Sequence, residues 1–254
     1  MRFQYFGMNF VACETIKTDI HPILFLTRQI DCQSPIAPPH FRPMKLHTIL
    51  LSWLALALHL PAQDKDGFTP LSGGKTTAGW TNPYEWGKIE VVNGEFHLTA
   101  DKKFFLVTEK KYSDFIFEGE ILLPAGKANS GFMFRAHSGP NKVFGYQSEV
   151  DGSTRNWSGG LYDEGRRKWF ISPKKSDKES VAAFLRRAGK TFKRNDWNTY
   201  RITCKGNHIK IEVNGVVTTD IKDDKDSSGV IGIQHHGEKG QTYKFRNLRV
   251  KEIK

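Results

Sequence analysis

The chain is predicted to fold as an all-β sandwich of two antiparallel sheets, and three features of the sequence point there. Runs rich in Val, Ile, Phe, Tyr and Thr recur at short intervals with turn residues between them. Asn-Gly pairs, which tolerate the positive φ of tight hairpins, punctuate the runs. Only Ser180 to Ala188 reads as a helix.

Residues 1–43 carry Pro22, Pro35, Pro38, Pro39 and Pro43 and hold no sustained period, so translation is expected to start at Met44. From there Met-Lys-Leu-His, an apolar span from Ile49 to Leu58 and His-Leu-Pro-Ala form a signal peptide over 44–62. The span is too short to cross a membrane, although a short anchoring helix behind a cytoplasmic arm is the competing reading. The mature domain is then 63–254, with no membrane span, and is expected in the periplasm or outside the cell.

In the mature part the strand runs fall at 88–98, 103–108, 114–123, 130–136, 144–151, 198–204, 208–213, 229–234 and 242–252. Asn93-Gly94, Gly206-Asn207 and Asn214-Gly215 supply hairpin turns. The helix lies inside a basic insertion from about 164 to 195, expected to fold over one end of the sheets.

Cys13 and Cys32 precede the mature domain, leaving Cys204 alone, so no internal disulfide forms and stability must come from a core. Removing the leader takes five of 38 Lys and Arg and three of 27 Asp and Glu, leaving 33 against 24 and a balance of +9. The basic clusters lack interleaved aromatics and read as solvated surface, so nucleic acid is not expected as a partner. No dinucleotide fingerprint, Cys-x-x-Cys pair, His-Glu-x-x-His or nucleophile elbow is present, and Ser72-Gly-Gly-Lys-Thr76 reads as a turn.

The most informative stretch runs from Asn129 to Asp163. On a strand, Gln147, Glu149 and Asp151 share one face and Tyr146, Ser148 and Val150 the other, which aligns two carboxylates and an amide beside Trp157 and Tyr162. The same alternation puts Gln234 and His236 on a polar face, with His235 on the core side, and turns Arg135 away from Phe132 and Phe134. A guanidinium buried there without a carboxylate or substrate partner would be costly.

Gly67-Phe-Thr-Pro-Leu71 with Gly79-Trp80, Asn129-Ser-Gly-Phe-Met-Phe-Arg135, Gly145-Tyr-Gln-Ser-Glu-Val-Asp151, Trp157-Ser-Gly-Gly-Leu-Tyr-Asp163, Asp196-Trp-Asn198, Val213-Asn-Gly215, Ile231-Gly-Ile-Gln-His-His-Gly237 and Phe245-Arg-Asn-Leu248 together resemble the 3-keto-disaccharide hydrolase domain family over roughly 66–253. The resemblance implies a concanavalin-like jelly-roll sandwich with a sugar cleft on its concave sheet. It places Arg135, Gln147, Glu149, Asp151, Tyr162, Gln234 and His236 at polar cleft positions, with Trp157 and Asp163 expected to bind substrate beside them. Many members carry Glu directly after the Gly-Tyr, whereas Gln147 stands there in this chain.

It also implies a reaction. A ketone at C3 acidifies the C2 proton, so a base removes it and the C1 substituent leaves, with or without later addition of water. Such a site needs a base, Glu149 or His236, a cation at the enolate oxygen, Arg135, and an acid for the leaving group, Tyr162 or His236. Asp151 could orient one of these, and a divalent cation on Glu149, Asp151 and His236 is a further alternative. A sugar 3-dehydrogenase would be the functional partner. The rivals are a non-catalytic carbohydrate-binding domain, and a conventional glycosidase using Glu149 and Asp151 at roughly 6 to 7 Å.

Overall fold

Period-two burial builds the core. In Phe115–Leu122 the side chains of Phe115, Phe117 and Ile121 are buried while Glu118 and Glu120 face outward. In His208–Val213, Ile209, Ile211 and Val213 point in and Lys210 and Glu212 out. The computed structural model describes residues 62–254, so the upstream segment 1–43 and the signal peptide 44–62, apart from Ala62, lie outside the described residues.

In chain order the elements are β1 (Thr69–Pro70), β2 (Trp80–Thr81), β3 (Lys88–Val92), β4 (Glu95–Thr99), β5 (Phe104–Tyr112), β6 (Phe115–Leu122), β7 (Asn129–Gly139) and β8 (Lys142–Asp151). There follow β9 (Leu161–Glu164), β10 (Lys168–Ser172), α1 (Lys178–Ala188), β11 (Asn198–Lys205), β12 (His208–Val213), β13 (Val216–Lys222), β14 (Gly229–His235) and β15 (Thr242–Glu252). One sheet runs β13-β12-β11-β6-β15-β4-β3 with β1 paired to β15, and the other runs β10-β9-β8-β7-β14-β5-β2. Pairing is antiparallel throughout, as in β7 with β8 and β6 with β15. The protein is therefore an all-β jelly-roll sandwich of two sheets, as the spacing of the runs predicts.

Phe132 of β7 stands at the centre of the core, with ring centroids 5.5 Å from Phe117, 5.0 Å from Tyr200 and 5.8 Å from Phe245 of the facing sheet. The run expected over 88–98 is two strands, because Asn93 and Gly94 take φ of 51° and 85° and turn β3 onto β4. β1, β2, β9, β10 and β13 were not foreseen. Each is short or mixed in polarity, with no alternation strong enough to read.

The basic insertion forms β10 and α1. Asp177 caps the helix by accepting from the N–H groups of Glu179 and Ser180. Arg187 in its last turn donates to the Thr218 carbonyl of β13 at 2.7 and 3.0 Å. Phe184 and Ala188 pack with Trp157 and Trp169, so the helix braces the aromatic wall beside β9 and β10.

Candidate functional site

On β8, Tyr146 and Val150 enter the core while Gln147 and Glu149 face the other way, into a cleft of about 200 Å³ on the outer face of the seven-stranded sheet. Asn129 from β7, Tyr162 and Glu164 from β9, and Gln234 from β14 converge on it. His236 just past β14, Lys103 just before β5, Arg155 from the loop after β8 and Trp169 of β10 close its sides. The regular register of Gln147 opposite Tyr162 and Gly131 opposite Glu149 holds this floor rigid.

Glu149 is almost wholly buried. Asn129 Nδ2 donates to its Oε1 at 2.6 Å, Gln147 Nε2 to its Oε2 at 3.1 Å, and the Arg155 guanidinium also donates to Oε1. Burial raises its pKa, while Arg155 and the Asn129 hydrogen bond oppose it, and the balance holds the carboxyl near 7. A carboxyl poised there exchanges a proton readily at neutral pH.

Arg155 spans two carboxylates, donating from Nε to Asp151 at 2.9 Å and from Nη2 to Glu149. Its guanidinium lies over Trp157 and Trp169, 4.8 and 5.2 Å from their centroids. Asp151 fixes the loop that carries it by accepting from Ser153 N at 3.0 Å, Ser153 Oγ at 2.6 Å and Trp157 N at 3.0 Å. Burial alone would raise the Asp151 pKa, but these bonds and Arg155 outweigh it and hold it below the usual value.

Two buried amide oxygens in the cleft, Gln147 Oε1 and Gln234 Oε1, have no hydrogen-bond partner among the described residues. An unmade bond to a buried acceptor costs about 1–3 kcal/mol, so these oxygens are built to meet a donor brought by a ligand, such as a hydroxyl. Gly131 makes room for one of them: a Cβ there would lie 2.4 Å from Gln147 Cδ.

At the opposite side His236 Nδ1 donates to Glu238 Oε1 at 3.0 Å, and the Tyr243 hydroxyl donates to the other Glu238 oxygen. The Glu238 hydrogen bond raises the His236 pKa against the effect of burial. Burial would raise Glu238, yet His236 and Tyr243 bring it down to about 2, so it remains an anion. His235, on the core side as alternation predicts, stacks on Phe104 at 5.8 Å, packs at a tilt against Tyr243 at 4.3 Å and accepts from Gly237 N at 3.0 Å through Nδ1. Its Nε2 donates to the Gln241 carbonyl at 3.1 Å, and burial lowers its pKa.

The cleft thus gathers Gln147, Glu149, Tyr162, Gln234 and His236 of the residues expected there. Four others stand elsewhere. Arg135 is 1% exposed and faces away from the cleft, donating to the carbonyls of Ser113 (2.8 Å), Gly206 (2.7 Å) and Asp226 (3.2 Å) and to Asp114 Oδ1 (2.9 Å). The reason is a bulge between Phe134 and His137, where Arg135 takes a φ of 44° and the alternation breaks. Asp163 is fully buried on the core side of β9, paired to Arg166 and Arg167, because its neighbour Tyr162 takes the cleft face. Glu164 is the carboxylate that β9 presents instead. Asp151 and Trp157 support Arg155 from behind rather than lining the cleft.

The trio of Glu149, Asp151 and His236 does not fit a divalent cation. Both Asp151 oxygens are already filled by protein donors, and the space between the two carboxylates is taken by the Arg155 guanidinium. Among the described residues no group of three His, Cys, Asp or Glu side chains is arranged to hold a metal. Arg155, Asn129, Glu238 and Lys103 were missed from the sequence. All lie in loops or at strand ends, where no period marks a face.

Fold and site together define an all-β sandwich with a small polar cleft built round a buried carboxyl and open amide acceptors, chemistry that suits a hydroxyl-bearing ligand. The chain belongs to the 3-keto-alpha-glucoside-1,2-lyase-like domain family, whose model matches residues 67–251. Among solved structures, a putative glycosyl hydrolase from Parabacteroides distasonis is 15% identical, with a TM-score of 0.53, covering 76% of this chain and 99% of its own. A second from the same organism is 17% identical with a TM-score of 0.50, covering 73% and 99%. A carbohydrate-binding module from Bacillus subtilis is 18% identical with a TM-score of 0.48, covering 68% and 96%. The two Parabacteroides distasonis likenesses establish the fold, and family membership supports a carbohydrate-related function. No curated protein matches the sequence.

Proposed function

We propose that the protein cleaves 3-keto-glycosides by removing the proton at C2 and eliminating the substituent at C1. The observation that carries this reading is Glu149, buried yet poised near pH 7 beside two unpartnered amide oxygens. Glu149 takes the C2 proton, the C1–C2 double bond forms, and the C1–O bond breaks with its electron pair leaving on oxygen. Neutralising Glu149 leaves Arg155 as the cation facing the new enolate, which lowers the barrier without a second nucleophile. His236, held by Glu238 through a hydrogen bond that raises its pKa, supplies the proton to the departing oxygen. Gln147 and Gln234 accept sugar hydroxyls.

The ketone must be made first, so a sugar 3-dehydrogenase reaction supplies the substrate. The leader expected at 44–62 fits action in the periplasm or outside the cell. The test is turnover of a 3-keto-glucoside against its unoxidised parent. Turnover of the ketone alone is expected. Comparable turnover of both would favour an ordinary glycosidase, and binding of both with turnover of neither a carbohydrate-binding domain.

A further inference from the structure

The cleft of about 200 Å³ falls below the roughly 300–1,000 Å³ of usual small-molecule sites, which makes it too small for a whole glycoside. It does not end at its own wall. Tyr162 and Trp169 line it on one side and line a wider basin of about 540 Å³ on the other. The two rings pack 5.0 Å apart, and Trp169 is held in turn by Trp157 at 4.7 Å. A ligand that fills the cleft with one ring therefore extends across an aromatic ridge into this basin.

The basin is cationic. Arg167, Lys168 and Lys175 surround it, with Ser176. Arg167 is already neutralised, with three of its five N–H donors spent on Asp163 and Asp223. Lys168 and Lys175 have no carboxylate partner among the described residues. Both are pinned beside the ridge: Lys168 pairs with Asp163 across β9 and β10, and Lys175 N donates to the Trp169 carbonyl at 3.2 Å. Free lysines on the surface are commonly just solvated, but here both line a basin that shares Tyr162 and Trp169 with the cleft.

We propose that this basin is the leaving-group subsite and that it selects a glycoside whose departing portion carries an anionic substituent, a carboxylate or a sulfate. The inference rests on the 3-keto-glycoside reading for which half of the substrate leaves, but not for the charge preference itself. The flexible ammonium groups suit either anion, so the experiment separates them.

The experiment measures kcat/KM for 3-keto-glucosides with a neutral, a carboxylated and a sulfated leaving sugar, on the wild-type protein and on Lys168→Gln/Lys175→Gln. The anionic substrates should be preferred by roughly fivefold to tenfold at low salt, the scale of two exposed ion pairs. That preference should shrink with ionic strength and collapse in the double variant, and the better of the two anions names the class. Equal losses on neutral and anionic substrates, or no preference in the wild type, would overturn the proposal. If no 3-keto-glucoside is turned over, the proposed reaction fails by itself. Calorimetric binding of the same three ligands to Glu149→Gln then still reads the preference, and its absence there overturns the subsite.

Discussion

Replacing Glu149 by Gln should make the protein nearly inactive and more stable at once. Glutamine keeps the size and hydrogen-bonding capacity of the side chain but cannot take a proton, so turnover should fall by about 10²-fold or more. The stability effect follows from the carboxyl's position near 7 when folded, against an ordinary 4.5. Below about 4.5 the group is protonated in both states and contributes no difference. As pH rises through 4.5 to 7 the unfolded chain ionises it first, so the native state loses about 3 kcal/mol relative to low pH. Glutamine escapes that loss. At pH 8 the variant should therefore melt higher by roughly 6–12 °C as an upper bound, and at pH 4 it should match the wild type. Calorimetric melting at both pH values, with turnover measured on the same preparation, is the assay. A variant that is less stable at pH 8, or that keeps more than a tenth of the activity, would refute the placement of Glu149 as a buried base.

Three further outcomes follow from other parts of the structure. Glu238→Gln removes the anion that raises His236, so the alkaline limb of the kcat/KM profile should move to lower pH while KM changes little; an unmoved limb would remove His236 from the acid role. Arg135→Met should cost about 3 kcal/mol in urea unfolding, the low end for a broken buried pair because Asp114 is 34% exposed, with KM of the folded enzyme unchanged. Gly131→Ala pushes Gln147 from its place and should raise KM by roughly tenfold, the worth of about one hydrogen bond, with a smaller change in kcat and an unchanged fold by circular dichroism.

Where the chain keeps strict period two, the sequence reads correctly. Tyr146, Gln147 and Glu149 take the faces that alternation assigns, because the ladder is unbroken on both sides of that stretch and leaves no freedom to turn, and the alternation carries through His235 at the end of β14 to His236 just past it. Arg135 escapes this logic through one bulge, and nothing in Phe-Met-Phe-Arg-Ala-His announces it. Asp163 is a different case. The rule that puts Tyr162 in the cleft also excludes its neighbour and selects Glu164, so that residue was legible and was passed over. Arg155 and Glu238 could not be read, since their positions come from loop turns fixed by Asp151, Ser153 and Tyr243 rather than from any repeat.

The ion pair between Lys103 and Glu164 says something about the shape of the sheet. Their ammonium and carboxylate meet at 2.7 Å, yet β9 and β5 are separated in the sheet by β8, β7 and β14. Four strand spacings on a flat sheet come to roughly 19 Å, farther than a lysine and a glutamate can reach together. The rims must bend toward each other, so the pair works as a tie-rod across a trough. Both residues also line the cleft, so the pair joins two of its walls with a bridge made of only two side chains.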